Sequence, residues 1–154
     1  MKLKRRVATA VAVIGVVATT LLGGAATASA RTDPTKAPPG YAGPFPTCNG
    51  EFLERINIPQ ATGYVDIWYS SAGSGTFCAM TFDNLAGSHH IEVVLQHAGW
   101  ATRWYDSDDN YDSYAGGIYV SDANTSCAQV YGEVTVNGVP RSSGWNTICK
   151  PPTP

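Results

Sequence analysis

The fold class can be read from residues 65–82, which are VDIWYSSAGSGTFCAMTF. Val65, Ile67 and Tyr69 alternate with Asp66 and Trp68, which is the two-residue period of a half-buried β-strand. Residues 71–75 are a Ser, Ala and Gly cluster typical of a turn, and the alternation resumes in residues 77–82. This stretch therefore predicts a β-hairpin.

The same alternation recurs along the chain, at residues 91–95, 118–120 and 130–136, and a last short strand is expected within residues 144–149. Asn137-Gly138 is a strong turn signal, because both residues tolerate the positive φ that a type I′ turn requires. No stretch after residue 30 offers more than two helical turns of apolar spacing. The sequence predicts an all-β fold, a small antiparallel sandwich or barrel of about six to eight strands stapled by two disulfides.

The first 30 residues have the three zones of a signal peptide. Lys2 to Arg6 is positively charged, residues 7–24 are apolar, and Ala28-Ser29-Ala30 is a small-residue cleavage sequence. The alternative is an uncleaved membrane anchor. The sequence leaves open whether export is by the general or the twin-arginine route. The sequence predicts a secreted protein, outside the cell or on a spore surface, with no membrane partner after cleavage.

The composition of residues 31–154 divides them into three segments and limits the functions that they can have. Residues 31–47 form a proline-rich arm, 48–150 a single all-β domain, and 151–154 an irregular tail. Of the 154 residues 44% are hydrophobic and 14% charged, as in an ordinary globular domain. From residue 31 onward six basic residues face twelve acidic ones, a net charge of −6. This balance excludes a non-specific nucleic-acid binder and a polybasic membrane-surface module.

The four cysteines all follow the predicted cleavage site. Cys48, Cys78, Cys127 and Cys149 are an even number in an exported chain, which predicts two disulfides rather than a metal site. Three pairings are open. We prefer the nested one, Cys48 with Cys149 and Cys78 with Cys127, because the outer pair flanks the predicted domain.

Several stretches together resemble the spore-associated protein A family, small secreted proteins of filamentous spore-forming bacteria. The matching stretches are Gly75-Thr76-Phe77-Cys78, the acidic run before Tyr114-Ala115-Gly116-Gly117-Ile118-Tyr119-Val120, the hairpin from Gly63 to Tyr69, and the positions of Cys48, Cys127 and Cys149. The resemblance covers roughly residues 48–149. It implies export and association with a spore or aerial surface, with no established enzymatic activity and no catalytic residues to transfer.

An acidic stretch is the candidate metal site. Oxygen-bearing side chains stand at alternate positions, Asp106, Asp108, Asn110 and Asp112, and a loop with this spacing can wrap them around Ca²⁺. The EF-hand pattern fails, because Tyr111 replaces its glycine and Gly117 its bidentate glutamate. The alternative is a solvated loop whose Asp and Asn side chains form Asx-turns, with no cofactor at all.

Aromatic residues give the candidate ligand contacts. Trp100, Trp104 and Tyr105 cluster beside the acidic stretch in what reads as a loop, and exposed aromatic rings pack on sugar rings or partner surfaces. The alternative is that these rings cap the ends of the sandwich or barrel.

Signals for catalysis are weak, so no catalytic residue is assigned. The sequence has no nucleophile elbow, and the spacing of Glu51, Glu54, Glu92 and Glu133 singles out no glycosidase pair. His89, His90 and His97 lack the usual spacing of metal ligands. We expect a secreted, non-catalytic spore- or cell-surface protein. The alternatives are a carbohydrate- or cell-wall-binding module, assisted by calcium, and a small secreted hydrolase.

Overall fold

A computed structural model describes residues 32–150, so the predicted signal peptide and the tail at 151–154 lie outside the described residues. The described part is all-β, as predicted, with two short 3-10 helices at Pro34–Lys36 and Pro59–Ala61. Its strands are β1 (Tyr41–Phe45), β2 (Glu51–Ile58), β3 (Gly63–Ser70), β4 (Thr76–Asp83), β5 (His89–His97), β6 (Trp104–Tyr111), β7 (Tyr114–Ser121), β8 (Ala128–Val136), β9 (Val139–Ser142) and β10 (Asn146–Ile148).

The strands form two antiparallel sheets of five strands each. The first sheet has the order β1-β7-β4-β3-β2, and the second has the order β10-β8-β5-β6. In the second sheet β9 pairs with one end of β8, and β10 pairs with the other end. This arrangement is the sandwich form of the predicted fold class.

The described residues form ten strands where six to eight were expected, because four strands lie in stretches that the sequence marks as arm, connection or loop. These strands, β1, β2, β6 and β9, each pair on one side only. An edge strand buries fewer of its side chains, so its apolar alternation is weak and its sequence reads as irregular. Strand β2 shows this clearly, because only Ile58 of its eight residues is buried.

The core lies between the two sheets and is built from the inward-facing half of each central strand. Val65 and Ile67 of the first sheet and Val93 of the second are fully buried. The sheets approach closely at Gly132, where an added Cβ would lie 2.2 Å from the Val65 Cγ2 atom and 2.5 Å from the Thr81 Oγ1 atom. Only glycine fits there, because every other residue would place its Cβ inside those atoms.

The disulfides join Cys48 to Cys78 and Cys127 to Cys149, so the nested pairing predicted from the sequence is wrong. The reason is the division of the chain between two sheets: Cys78 lies in β4 of the first sheet, whereas Cys127 immediately precedes β8 of the second. Ile148 and Ala128 are directly paired residues of β10 and β8, which places Cys149 beside Cys127.

The proline-rich arm is part of the fold from residue 41, because β1 pairs with β7 at the edge of the first sheet. Tyr41 anchors the arm. Its buried hydroxyl donates a hydrogen bond to the Thr102 carbonyl (2.6 Å) and accepts one from the His97 backbone N–H (3.1 Å). The domain boundary predicted at residue 48 therefore falls after the first strand. An edge position tolerates Pro44, which cannot donate a backbone hydrogen bond.

Candidate functional site

The outer face of the first sheet is crossed by a short segment of the chain, residues 46–50, called the strap. The strap runs from β1 at one edge to β2 at the other. The Cys48–Cys78 disulfide fixes it to β4 in the middle of the sheet, and the Asn49 N–H donates a hydrogen bond to the Tyr119 hydroxyl (2.7 Å). The strap therefore divides this face into two parts.

On one side of the strap lies a row of three aromatic rings, Tyr64, Phe82 and Tyr114, called the aromatic row. They occupy directly paired positions on β3, β4 and β7. The ring centroids of Tyr64 and Phe82 lie 5.0 Å apart and those of Phe82 and Tyr114 5.9 Å apart. All three side chains are half-buried. The row forms a continuous apolar strip across three strands.

An ion pair stands at the end of this row. Asp66 is buried, and both of its carboxylate oxygens accept hydrogen bonds from the Arg55 guanidinium at 2.7 Å. The guanidinium carbon lies 3.6 Å from the ring centroid of Tyr64, a cation–π distance. The hydrogen bonds to Asp66 raise the pKa of Arg55 further, so the cation is permanent. Fixed polar groups thus border the apolar strip.

Two more rings extend this surface toward β2. Phe52 and Trp68 are paired across β2 and β3, with ring centroids 5.9 Å apart, and Phe52 is 50% exposed. The aromatic row together with Phe52 and Trp68 is called the aromatic face. It presents five rings and one ion pair on the outside of one sheet.

On the other side of the strap the same sheet holds a mainly apolar groove of about 480 Å³. Phe45 is 43% exposed, and its ring meets that of Tyr119 edge-on at 5.8 Å. The lining residues are Ala42, Phe45, Pro46, Thr47, Asn49, Thr76 and Tyr119. The disulfide-linked strap forms one wall, so the groove depends on that crosslink.

The three aromatic residues predicted as ligand contacts do not form one surface. Trp104 begins β6 and is buried, and its indole N–H donates a hydrogen bond to the Gly43 carbonyl (2.8 Å). Trp100 is half-buried and stacks on His97 with centroids 4.0 Å apart. Only Tyr105 is substantially exposed. Neighbours in a strand point to opposite faces, so Trp104 is buried and Tyr105 is exposed, although their ring centroids lie only 5.9 Å apart.

The predicted calcium loop, which includes Asn110 and Asp112, is largely a strand. Residues 104–111 form β6, and Asp106 is fully buried within it. The Asp106 carboxylate accepts hydrogen bonds from the Tyr111 hydroxyl (2.7 Å), the Gly116 N–H (2.7 Å) and the Thr32 N–H (3.1 Å). Asp106 therefore joins β6, β7 and the arm through hydrogen bonds, which explains its burial without a cation.

The remaining acidic side chains of this stretch have local partners. Asp108 accepts a hydrogen bond from the Asn110 N–H (2.9 Å), and Asp109 pairs with His90 (2.8 Å). Asp112 accepts one from the Ser88 hydroxyl. Across residues 32–150 the structure brings no three His, Cys, Asp or Glu side chains together in a way that would hold a metal ion. The calcium hypothesis gains no support from this geometry.

The four glutamates considered for catalysis divide between the two sheets. Glu51 and Glu54 lie on β2, whereas Glu92 and Glu133 are directly paired across β5 and β8 on the outer face of the second sheet. Sequence spacing cannot reveal such a pair, because the two residues are 41 positions apart and meet only through strand register.

The aromatic face was not among the predicted ligand contacts, although the sequence contains a signal for it. In residues 65–82 the outward half of the alternation holds Trp68, Met80 and Phe82, which are as apolar as the inward half. An outer sheet face normally carries polar residues, so this excess marks a covered or binding surface.

Comparison of the chain with protein-family models, curated proteins and solved structures gave no match. Within residues 32–150 no helix is long and apolar enough to cross a membrane. The two disulfides indicate an oxidising environment.

Proposed function

We propose that this is an exported, non-catalytic protein that acts by contact at the surface of a cell or spore. Its aromatic face binds neutral cell-wall polysaccharide. The observation that carries the proposal is the aromatic face, whose five rings share one sheet surface and whose most exposed member, Phe52, is 50% exposed and meets Trp68 edge-on with centroids 5.9 Å apart. The spore surface as the location rests on the resemblance to the spore-associated protein A family.

Polysaccharide chemistry fits this surface in two ways. The C–H face of a sugar ring packs on an aromatic ring, while its hydroxyls require polar partners at the margin of the contact. Asp66 fixes the half-exposed Arg55 side chain beside Tyr64, and the guanidinium N–H groups that do not bond Asp66 are such partners. The net charge of −6 from residue 31 onward favours a neutral polymer over an anionic one.

The hydrolase alternative fits less well. A glycosidase places two carboxyl groups on either side of the bond that it cleaves. Glu92 and Glu133 instead project from neighbouring strands of the same sheet face, beside an open groove. A ligand there meets both carboxyl groups from one side, which favours binding over bond cleavage.

Co-sedimentation with purified peptidoglycan, chitin and spore coats tests the proposal. We expect the oxidised protein to sediment with at least one polymer, and Trp68→Ala and Phe82→Leu to weaken retention about tenfold, as for loss of a buried aromatic contact. Tyr105→Ala is the matched control, because it removes an exposed ring from the opposite sheet.

Near-UV circular dichroism of each variant separates binding from folding. If the rings serve only to stabilise the sheet, the variants melt earlier but the folded protein retains wild-type binding. That result, or failure of the wild-type protein to sediment with any of the three polymers, would overturn the proposal.

A further inference from the structure

The outer face of the second sheet holds two carboxyl groups that repel one another. Glu92 of β5 and Glu133 of β8 are directly opposite, and like charges in that position destabilise a sheet. The two Glu133 oxygens are held by hydrogen bonds from the hydroxyls of Tyr131 and Thr135. The chain thus keeps one carboxylate fixed beside the other.

A groove of about 270 Å³ is lined by Glu92, and Glu133, its direct neighbour across the strands, stands beside it. Two aromatic rings line it, those of Tyr131 and Trp145, with centroids 5.4 Å apart and planes inclined at 35°. The Trp145 side chain is 46% exposed, so its face is open to solvent. The groove therefore combines aromatic faces with anionic oxygens, and it is a shaped site rather than an acidic cluster alone.

The electrostatics of the groove favour a positive charge. Burial, and then the negative charge of Glu133, raise the pKa of Glu92. Burial and the hydrogen bond to Glu133 raise the pKa of Tyr131 to about 12, so its hydroxyl stays protonated and donating. Arg103 lines the same groove and opposes a cation, and His90 lies near Glu92 on the same strand. Glu92 and Arg103 thus line the groove itself, and the adjacent Glu133 adds a second negative charge beside Glu92.

We propose that this groove binds a primary alkylammonium group. The ammonium donates hydrogen bonds to the Glu92 carboxylate and is attracted by the charge of Glu133 beside it, and its alkyl chain lies against the faces of Tyr131 and Trp145. Aromatic faces attract cations, and charged hydrogen bonds to carboxylates are among the strongest. Such a group occurs on lysine side chains, and an amino sugar presents a comparable ammonium. The site is on the opposite sheet from the aromatic face and does not depend on polysaccharide binding.

Titration of the oxidised protein with pentylamine, followed by backbone-amide and indole NMR shifts, tests the site. We expect shifts at Trp145 and Glu133 with a dissociation constant on the order of 1 mM, and no such shifts with 1-pentanol, which lacks the charge. Nα-acetyl-lysine amide and a glucosamine trimer, each beside its N-acetylated counterpart, then distinguish the two natural sources of the ammonium.

Substitutions at the groove test whether pentylamine binds there. Glu92→Gln and Glu133→Gln should each weaken pentylamine binding about tenfold, and Trp145→Ala should do the same. Glu51→Gln, an exposed glutamate of the first sheet, and Trp68→Ala, in the aromatic face, should leave it unchanged. Equal binding of 1-pentanol, wild-type affinity in folded Glu92→Gln and Glu133→Gln, or no shift at 50 mM pentylamine would each overturn the proposal.

Discussion

The outer faces of the two sheets differ more than their inner faces do. Inward, both sheets present small and branched apolar side chains, such as Val65 and Val93, which are fully buried. Outward, the first sheet carries the aromatic face and the strap, whereas the second sheet carries the Glu92–Glu133 pair. The inward half of the alternation therefore decides the fold, and the outward half gives each sheet a chemically different surface.

The strap accounts for much of this difference. It covers Cys78, which is 1% exposed although its side chain is on the outer face of β4. An outward apolar residue is tolerated where the chain itself excludes water. The described chain places no such crossing segment over Glu92 and Glu133, and the groove there stays open.

The largest effect is expected from releasing the strap. Cys48→Ser with Cys78→Ser removes the crosslink that closes a 30-residue loop, which should lower the free energy of unfolding by about 3–4 kcal/mol in urea denaturation. The control, Cys127→Ser with Cys149→Ser, opens a 22-residue loop and should lose a similar amount. Only the first variant should also lose polysaccharide retention. Equal loss of retention in both would contradict a specific role for the strap.

A slightly smaller effect, common to both faces, is expected at the contact between the sheets. Gly132→Ala forces a methyl group against Val65 and Thr81, so we expect the free energy of unfolding to fall by about 3 kcal/mol. Thermal denaturation measures this loss. A change in Tm below about 2 °C would show that the sheets separate more easily than their spacing implies.

Trp104 tests whether an aromatic residue of β6 is structural rather than a ligand contact. Trp104→Phe removes the hydrogen bond to Gly43 and leaves that buried carbonyl without this donor, at an expected loss of about 1–2 kcal/mol of unfolding free energy. Its neighbour Tyr105→Ala should change stability by less than about 0.5 kcal/mol. Comparable losses in chemical denaturation would contradict the opposite orientations of the two side chains.

The smallest expected effect is the change of folding stability with pH that Glu92 of the second sheet causes. Burial and the charge of Glu133 raise the pKa of Glu92 above its usual 4.5 in the folded protein. The folded state therefore binds more protons just above pH 4.5, and stability falls as the pH rises through that window. Glu92→Gln should raise Tm at pH 7 by on the order of 1–2 °C and give no gain at about pH 3. A higher Tm for Glu92→Gln at both pH values would show that the effect does not come from the charge of Glu92.

Most of the fold was predictable, and its errors concern the strands at sheet edges and the pairing of the cysteines. Strands β3, β4, β5, β7 and β8 were predicted because a strand buried on one face alternates visibly. The turn at Asn137-Gly138 is confirmed by the positive φ of both residues, 51° and 75°. Strands β2 and β9 were missed because they bury few or no side chains. Strand β1 was missed because it contains glycine and proline, and β6 because its buried Asp106 is polar and is satisfied by hydrogen bonds.

The candidate sites were less predictable. Trp100, Trp104 and Tyr105 are neighbours in sequence, but strand alternation buries Trp104 and exposes Tyr105. Tyr64, Phe82 and Tyr114 are far apart in sequence, and only the register of β3, β4 and β7 brings them together. A ligand surface on a sheet is assembled across strands, so composition shows that aromatic residues are plentiful without showing which of them meet.

The sequence by itself determined the all-β class, the central strands, the turn chemistry and the presence of two disulfides, since these depend on local backbone preference, side-chain period and the number of cysteines. Only the tertiary structure decided which cysteines pair, which aromatic rings share a face and that Glu92 stands opposite Glu133. Those relations are set by strand order and register, which arise from packing the two sheets together and have no local signature in the chain.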